Sequence, residues 1–193
     1  MSRLEGHGLA CSRGLVTLFK DVSFHVDAGE WVAVRGPNGS GKTTLLRCVA
    51  GFTRPDAGEV RREGALFYAG HLPGIKDDFT AEENLRRSLT LSGAAPSDAQ
   101  IRGALAEVGL DKRRAIPARR LSAGQRRRIG LARLRLDPAT VWVLDEPLTA
   151  LDDQGQALFA STLAAHLARG GAALLAMHHD LEPAPARVLR MGA

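Results

Sequence analysis

Long apolar runs are missing from this 193-residue chain. No stretch approaches the roughly 18 uninterrupted apolar residues of a membrane-spanning helix, so the chain is not expected to cross a bilayer by itself. The opening residues, Met1-Ser2-Arg3-Leu4-Glu5-Gly6-His7, hold no apolar segment of the kind that directs secretion, which predicts a cytoplasmic chain. Cysteine is scarce too: Cys11 and Cys48 are the only two, too few for a disulfide framework. Aromatic residues make up only 5% of the sequence, and none interleave the basic clusters Arg61-Arg62, Arg86-Arg87, Lys112-Arg113-Arg114, Arg119-Arg120 and Arg126-Arg127-Arg128. Base-stacking recognition needs such interleaving, so the net charge of +5 reads as solvated helix faces and partner contacts, with no nucleic-acid partner expected. Internal repeats and low-complexity linkers are absent as well. The length suits one domain, or one domain with a small subdomain.

What is present is an alternation of short apolar strands with helical patterns. Residues 32–35, 65–68, 141–145 and 172–177 read as strands, three of these four almost wholly apolar, as in a sheet covered on both faces. This predicts an α/β fold. Between about residues 72 and 120 the pattern becomes helical: Ser97-Asp98-Ala99-Gln100 has the form of a capping box, and Ile101, Leu105 and Val108 share a face that Gly109 terminates. The expected organisation is a core of residues 1–71 and 121–193 carrying a helical insert at about 72–120. A further helix is expected from about Asp153 to Arg169, with Phe159, Leu163 and Leu167 on one side.

Within that frame, Gly36-Pro37-Asn38-Gly39-Ser40-Gly41-Lys42-Thr43, followed by Thr44, lies between an apolar strand and a helix. Glycines let the backbone approach a crowded set of phosphate oxygens and aim successive N–H groups at them, and the helix N-terminus adds its positive dipole end. A lysine at this position reaches the β- and γ-phosphates, and the Thr43 hydroxyl suits Mg²⁺. The segment therefore implies a nucleoside triphosphate ligand.

Two more motifs bear on the chemistry. Val141-Trp142-Val143-Leu144-Asp145-Glu146 is an apolar strand ending in two acids: a rigid strand can deliver Asp145 to a Mg²⁺ shell while Glu146 orients or deprotonates a water. Buried strands ending in Asp-Glu also occur without such a role. Leu121-Ser122-Ala123-Gly124-Gln125 decides between these readings, because small residues at a helix start form a second anion site of backbone N–H groups with a serine hydroxyl. One chain with one triphosphate needs only one such site. The economical expectation is a head-to-tail homodimer with two ATP molecules at the interface, each signature segment closing over the γ-phosphate held by the other copy.

With these residues together, the sequence resembles the ATP-binding cassette ATPases over essentially its whole length. The phosphate loop, the signature at Leu121–Gln125, Asp145-Glu146-Pro147 and Ala150-Leu151-Asp152 stand in that family's order. The resemblance implies a P-loop NTPase (RecA-like) core with a helical subdomain, the cofactors ATP and Mg²⁺, and a separate integral-membrane permease as partner. It implies that Asp152 belongs to a loop coupling the two sites, and that a histidine after the strand at 172–177 contacts the γ-phosphate. His178 and His179 are both available, and counting from Glu146 favours His178. Catalysis is then expected from Glu146 and His178, with Thr43 and Asp145 on the metal and Ser122, Ala123, Gly124 and Gln125 acting across the dimer.

Tyr68-Ala69-Gly70-His71-Leu72-Pro73-Gly74-Ile75-Lys76, the segment Glu83-Asn84-Leu85 and Ala123 within the signature resemble most the subgroup that serves cytochrome c maturation, the heme exporter ATPases. That places the expected chain on the cytoplasmic face of a bacterial inner membrane, beside a permease of the cytochrome c maturation type. Two departures stand out. The glutamine that usually links Mg²⁺ to the transporter-facing subdomain is replaced at the matching position by His71, which could ligate or accept a hydrogen bond when neutral. The aromatic residue that usually stacks on adenine is missing; its expected position falls near Arg13, whose guanidinium plane can also stack on a base. Another transporter of the same family is the alternative reading; a nucleic-acid ATPase and a small-molecule kinase are rivals that leave the short chain and the signature, respectively, without explanation.

Overall fold

Strand β1 (Ser2–Arg13) turns through Gly14-Leu15 into β2 (Val16–Asp27), and the two pair antiparallel. The computed structural model describes residues 2–70 and 74–192, and it divides them between two compact units. The first comprises Met1–His71, Ala139–Pro147 and Ala164–Ala193. It holds both sheets. β4 (Ala57–Arg62) joins the far side of β1, giving a three-stranded antiparallel sheet in the order β2-β1-β4.

The second sheet has five strands: β3 (Trp31–Arg35), β5 (Leu66–Ala69), β6 (Val141–Asp145), β7 (Ala172–Ala176) and β8 (Arg187–Arg190), in the order β5-β6-β7-β3-β8. Every adjacent pair in it is parallel. The central strands β6 and β7 are buried at every residue, which is why Val-Trp-Val-Leu-Asp and Ala-Ala-Leu-Leu-Ala read as continuous runs. The edge strand β8 is exposed along most of its length. One apolar cluster draws Leu4 and Leu9 from β1, Val32 and Val34 from β3, Leu45, Leu46 and Val49 from helix α1 (Lys42–Val49), Val143 from β6 and Leu174 from β7. Cys11 and Cys48 are part of it, both as free thiols; burial first, and then the neighbouring Cys11, push Cys48 up to about 12, so it stays protonated.

The second unit comprises Leu72–Pro138 and Leu148–Leu163. Its helices are α2 (Ala81–Leu91), α3 (Asp98–Glu107), α4 (Ala123–Leu136) and the first part of α5 (Asp153–Ala168). The first three start with reciprocal capping boxes, Thr80 with Glu83, Ser97 with Gln100, and Ser122 with Gln125. Asn84 is buried but satisfied: its amide donates to the carbonyls of Lys76, Phe79 and Thr80 and accepts from the Lys76 N–H, pinning the segment that leads into α2. This unit extends past the expected limit at residue 120, because α4 packs on α2 and α3 and buries Ile129, Leu131, Ala132 and Leu134. Among the described residues no helix is long and apolar enough to cross a membrane.

Candidate nucleotide site

The order β6-β7-β3 sets the C-terminal ends of three buried parallel strands side by side, the edge at which open α/β sheets bind ligands. β3 runs directly into the loop 36–43. Gly36 has no room for a side chain: a Cβ there would lie 2.5 Å from the Met191 carbonyl oxygen and 2.7 Å from the Ser40 hydroxyl. Gly41 caps α1 in the left-handed conformation at φ 89°, without a side-chain cap bond, so the first-turn N–H groups face outward from the helix start. No acidic side chain stands in that first turn. Leu18 and Phe19 of β2 close against Gly41, which sets the antiparallel hairpin beside the loop.

Lys42 is 8% exposed and its ammonium donates to the carbonyls of Gly36 (2.7 Å) and Pro37 (3.0 Å), so its charge is held over the loop. The Ser40 hydroxyl is buried with no hydrogen-bond partner among the described residues. An orphaned polar atom costs on the order of 1–3 kcal/mol, and its place inside a glycine-lined cradle fits a ligand rich in acceptor oxygens.

Asp145, 2% exposed at the end of β6, accepts a hydrogen bond of 2.8 Å from the Thr43 hydroxyl. The two side chains expected on the metal therefore touch, although α2, α3 and α4 lie between them in sequence. Glu146 follows at φ 52°, a left-handed conformation rare for a non-glycine residue, with its N–H bonded to Ala176 at the end of β7 (2.9 Å). Strain of this kind concentrates where a side chain must point in one direction. Glu146 Oε1 lies 3.2 Å from His178 Nε2, so the structure brings His178 to the carboxylate; both His178 and its neighbour His179 are exposed, and the carboxylate contact is what distinguishes them.

Two neighbours of this site were not assigned to it from the sequence. Tyr68, at the end of β5, has its phenol pushed upward by burial and then by the Asp145 charge, and meets Phe52 edge-on at 5.1 Å. Arg35 ends β3. A nearby charge and a strand-end cation leave no motif in a sequence.

In the second unit, the Ser122 hydroxyl accepts from the Gln125 N–H (3.2 Å) and the Gln125 side chain accepts from the Ser122 N–H (3.1 Å), so both residues first serve the start of α4. Ala123 is exposed, and Gly124 lies close enough to Ala150 that a Cβ would come within 3.1 Å of its carbonyl. Asp152 accepts two bonds of 2.8 Å from one Arg128 Nη2 and a third of 3.0 Å from the Gly155 N–H. The Arg128 contact, and then the Gly155 N–H, hold the Asp152 carboxyl below its usual range. Arg128 also donates to the Val108 carbonyl at the end of α3, and so ties α4 both to α3 and to the Asp152 loop; it is another residue that motif reading passed over. Arg13 is exposed at the end of β1, next to the fully exposed Leu15. His71 lies outside the described residues.

A family model described as ABC transporter matches residues 19–149. The chain belongs to the ABC transporter family. As an ABC protein it is an ATPase, and its sheet-plus-helices architecture is that of the family's ATPase domain. It is 46% identical over 200 residues to the cytochrome c biogenesis ATP-binding export protein CcmA 1 of Salmonella paratyphi A, covering 97% of this chain and 95% of that one. It is 43% identical over 203 residues to the corresponding export protein CcmA of Nitrosospira multiformis, covering 99% and 98%. Among solved structures, an ATP-binding subunit of an ABC transporter superposes with a TM-score of 0.87 at 25% identity, over 99% of this ABC chain and 88% of that one.

Proposed function

We propose that this ABC ATPase hydrolyses MgATP between two copies of itself and delivers the work to a membrane-embedded permease in cytochrome c biogenesis. The assignment to cytochrome c biogenesis is supported by near-full-length identity to export proteins of that name from several bacteria. The site reading is carried by one observation: Thr43, Asp145, Glu146 and His178 converge at three adjacent strand ends, beside the cradle that starts at Gly36.

Lys42, with the N–H groups from Gly39 to Thr44, holds the triphosphate; its ammonium exchanges the Gly36 and Pro37 carbonyls for phosphate oxygens. Thr43 and Asp145 would hold the Mg²⁺, both offering the oxygen donors that such a cation takes. Among the described residues no cluster of three or more His, Cys, Asp or Glu forms a protein-only metal cage. When bound, Mg²⁺ would neutralise charge developing on the β- and γ-phosphates. Glu146 accepts a proton from the attacking water or orients it, and His178 steadies the γ-phosphate. Ser122, Ala123, Gly124 and Gln125 of the second copy close the pocket, with Asp152 nearby to couple the two sites. Arg13 stacks on the base.

General-base assistance contributes roughly 10²- to 10⁴-fold to a rate, so Glu146→Gln is expected to lose about that much turnover while still binding ATP. Hydrolysis at the normal rate in that variant would remove Glu146 from the mechanism. The cytochrome assignment is tested separately, by purifying the tagged chain from detergent-solubilised membranes and identifying the permease that accompanies it; recovery of an amino-acid importer would overturn it.

A further inference from the structure

The loop that follows β7 is fastened to β3 at two consecutive residues. On one side of His178, the Met177 N–H donates to the Val34 carbonyl at 3.3 Å. On the other side, Asp180 Oδ1 accepts from Arg35 Nη2 at 2.6 Å. His178 sits between these two attachments, with its ring 3.2 Å from Glu146. We propose that Arg35 and Asp180 form a clasp that positions His178 for hydrolysis. The proposal rests on the reading of Glu146 and His178 given above.

Three features favour positioning over simple stabilisation. The Asp180 side chain is 96% exposed, and an ion pair in that much water adds little to folding. Arg35 also leaves its Nε–H buried with no hydrogen-bond partner among the described residues, an arrangement that stability alone would not favour. Finally, Arg35 is the residue before Gly36, so a single side chain ties the histidine loop to the strand that carries the phosphate cradle. The histidine and the phosphates thereby share one rigid support. Small displacements of a catalytic group are expensive in rate: about 1 Å can cost about 10²-fold.

The test uses the full chain and steady-state ATP hydrolysis. Asp180→Asn and Arg35→Gln are each expected to lower kcat by about tenfold, a fraction of the roughly 10²-fold that a full 1 Å shift costs. KM for ATP and the melting temperature are expected to stay essentially constant. The double variant should lose no more than either single one, since the two residues act as a unit, and Arg35→Lys should recover part of kcat. Because Asp180 is at the surface, its substitution does not threaten folding. Unchanged kcat in Asp180→Asn, or additive losses in the double variant, would overturn the clasp. If those variants are silent while His178→Ala is inactive, only the clasp is wrong; if His178→Ala is itself fully active, the clasp and the site reading fail together.

Discussion

Glu146 and Gly36 illustrate opposite uses of backbone geometry within one site. Glu146 tolerates a left-handed φ because β7 fixes its N–H, and in return its carboxylate is aimed at His178. Gly36 has an ordinary φ and is required instead by space. Gly36→Ala is expected to weaken ATP binding at least tenfold, because the added methyl meets a backbone carbonyl at 2.5 Å that cannot step aside. Titration with a fluorescent ATP analogue measures this, and an unchanged affinity would mean that the loop opens more easily than its contacts indicate. Both glycine and glutamate stood out in the sequence as candidate site residues, but the strain on Glu146 and the closeness of Met191 did not, since each depends on where a distant strand ends. Counting from Glu146 already favoured His178 over His179, and the structure adds the contact between that ring and the Glu146 carboxylate.

Elements differed in how plainly the sequence announced them. Strands β3, β6 and β7 are buried on both faces and stand out as unbroken apolar runs, and the capping box at Ser97 marked α3. Strands β1, β2 and β4 belong to a sheet with one wet face, and β4, Ala-Gly-Glu-Val-Arg-Arg, carries hardly any apolar residues to mark it. β8 is an exposed edge and was equally silent. At the start of α4, Ser122 carries two tasks, capping the helix and, in the proposed dimer, meeting phosphate. Ser122→Ala should cost about 1 kcal/mol of stability, a shift of roughly 2–4 °C in melting temperature for a chain this size, and should also depress hydrolysis. Thr80→Ala removes an equivalent cap from α2 without touching the proposed interface. It should therefore reproduce the thermal shift and spare the rate. Equal losses of rate in the two variants would reduce Ser122 to a structural cap.

For the molecule as a whole, the response to acid is set in part by His166. Its ring stacks on Trp142 at 3.7 Å and an interplanar angle of 10°, with Nε2 3.3 Å from the Ala172 carbonyl. Burial lowers it from 6.5 to about 4, despite the opposing pull of that carbonyl. Between those two pH values the unfolded chain takes up a proton that the folded chain refuses. The stabilisation is therefore complete above about pH 6.5 and drains away as the pH falls toward about 4, by about 3 kcal/mol in total at 1.36 kcal/mol per unit. Urea denaturation at several pH values should trace this slope, and His166→Phe should flatten it while keeping the stack on Trp142. A slope unaltered in that variant would move the acid sensitivity to other groups.

The placement of β7 between β3 and β6 also has a consequence for biosynthesis. Both flanking strands leave the ribosome before β7 does, yet neither can acquire its inner neighbour until residues 172–176 emerge. A nascent chain halted earlier would hold its cradle without its acids in register, and would present two raw apolar edges open to aggregation. On the proposed site, completion of the pocket therefore comes late in synthesis, and an interrupted translation product is a target for chaperones and proteases.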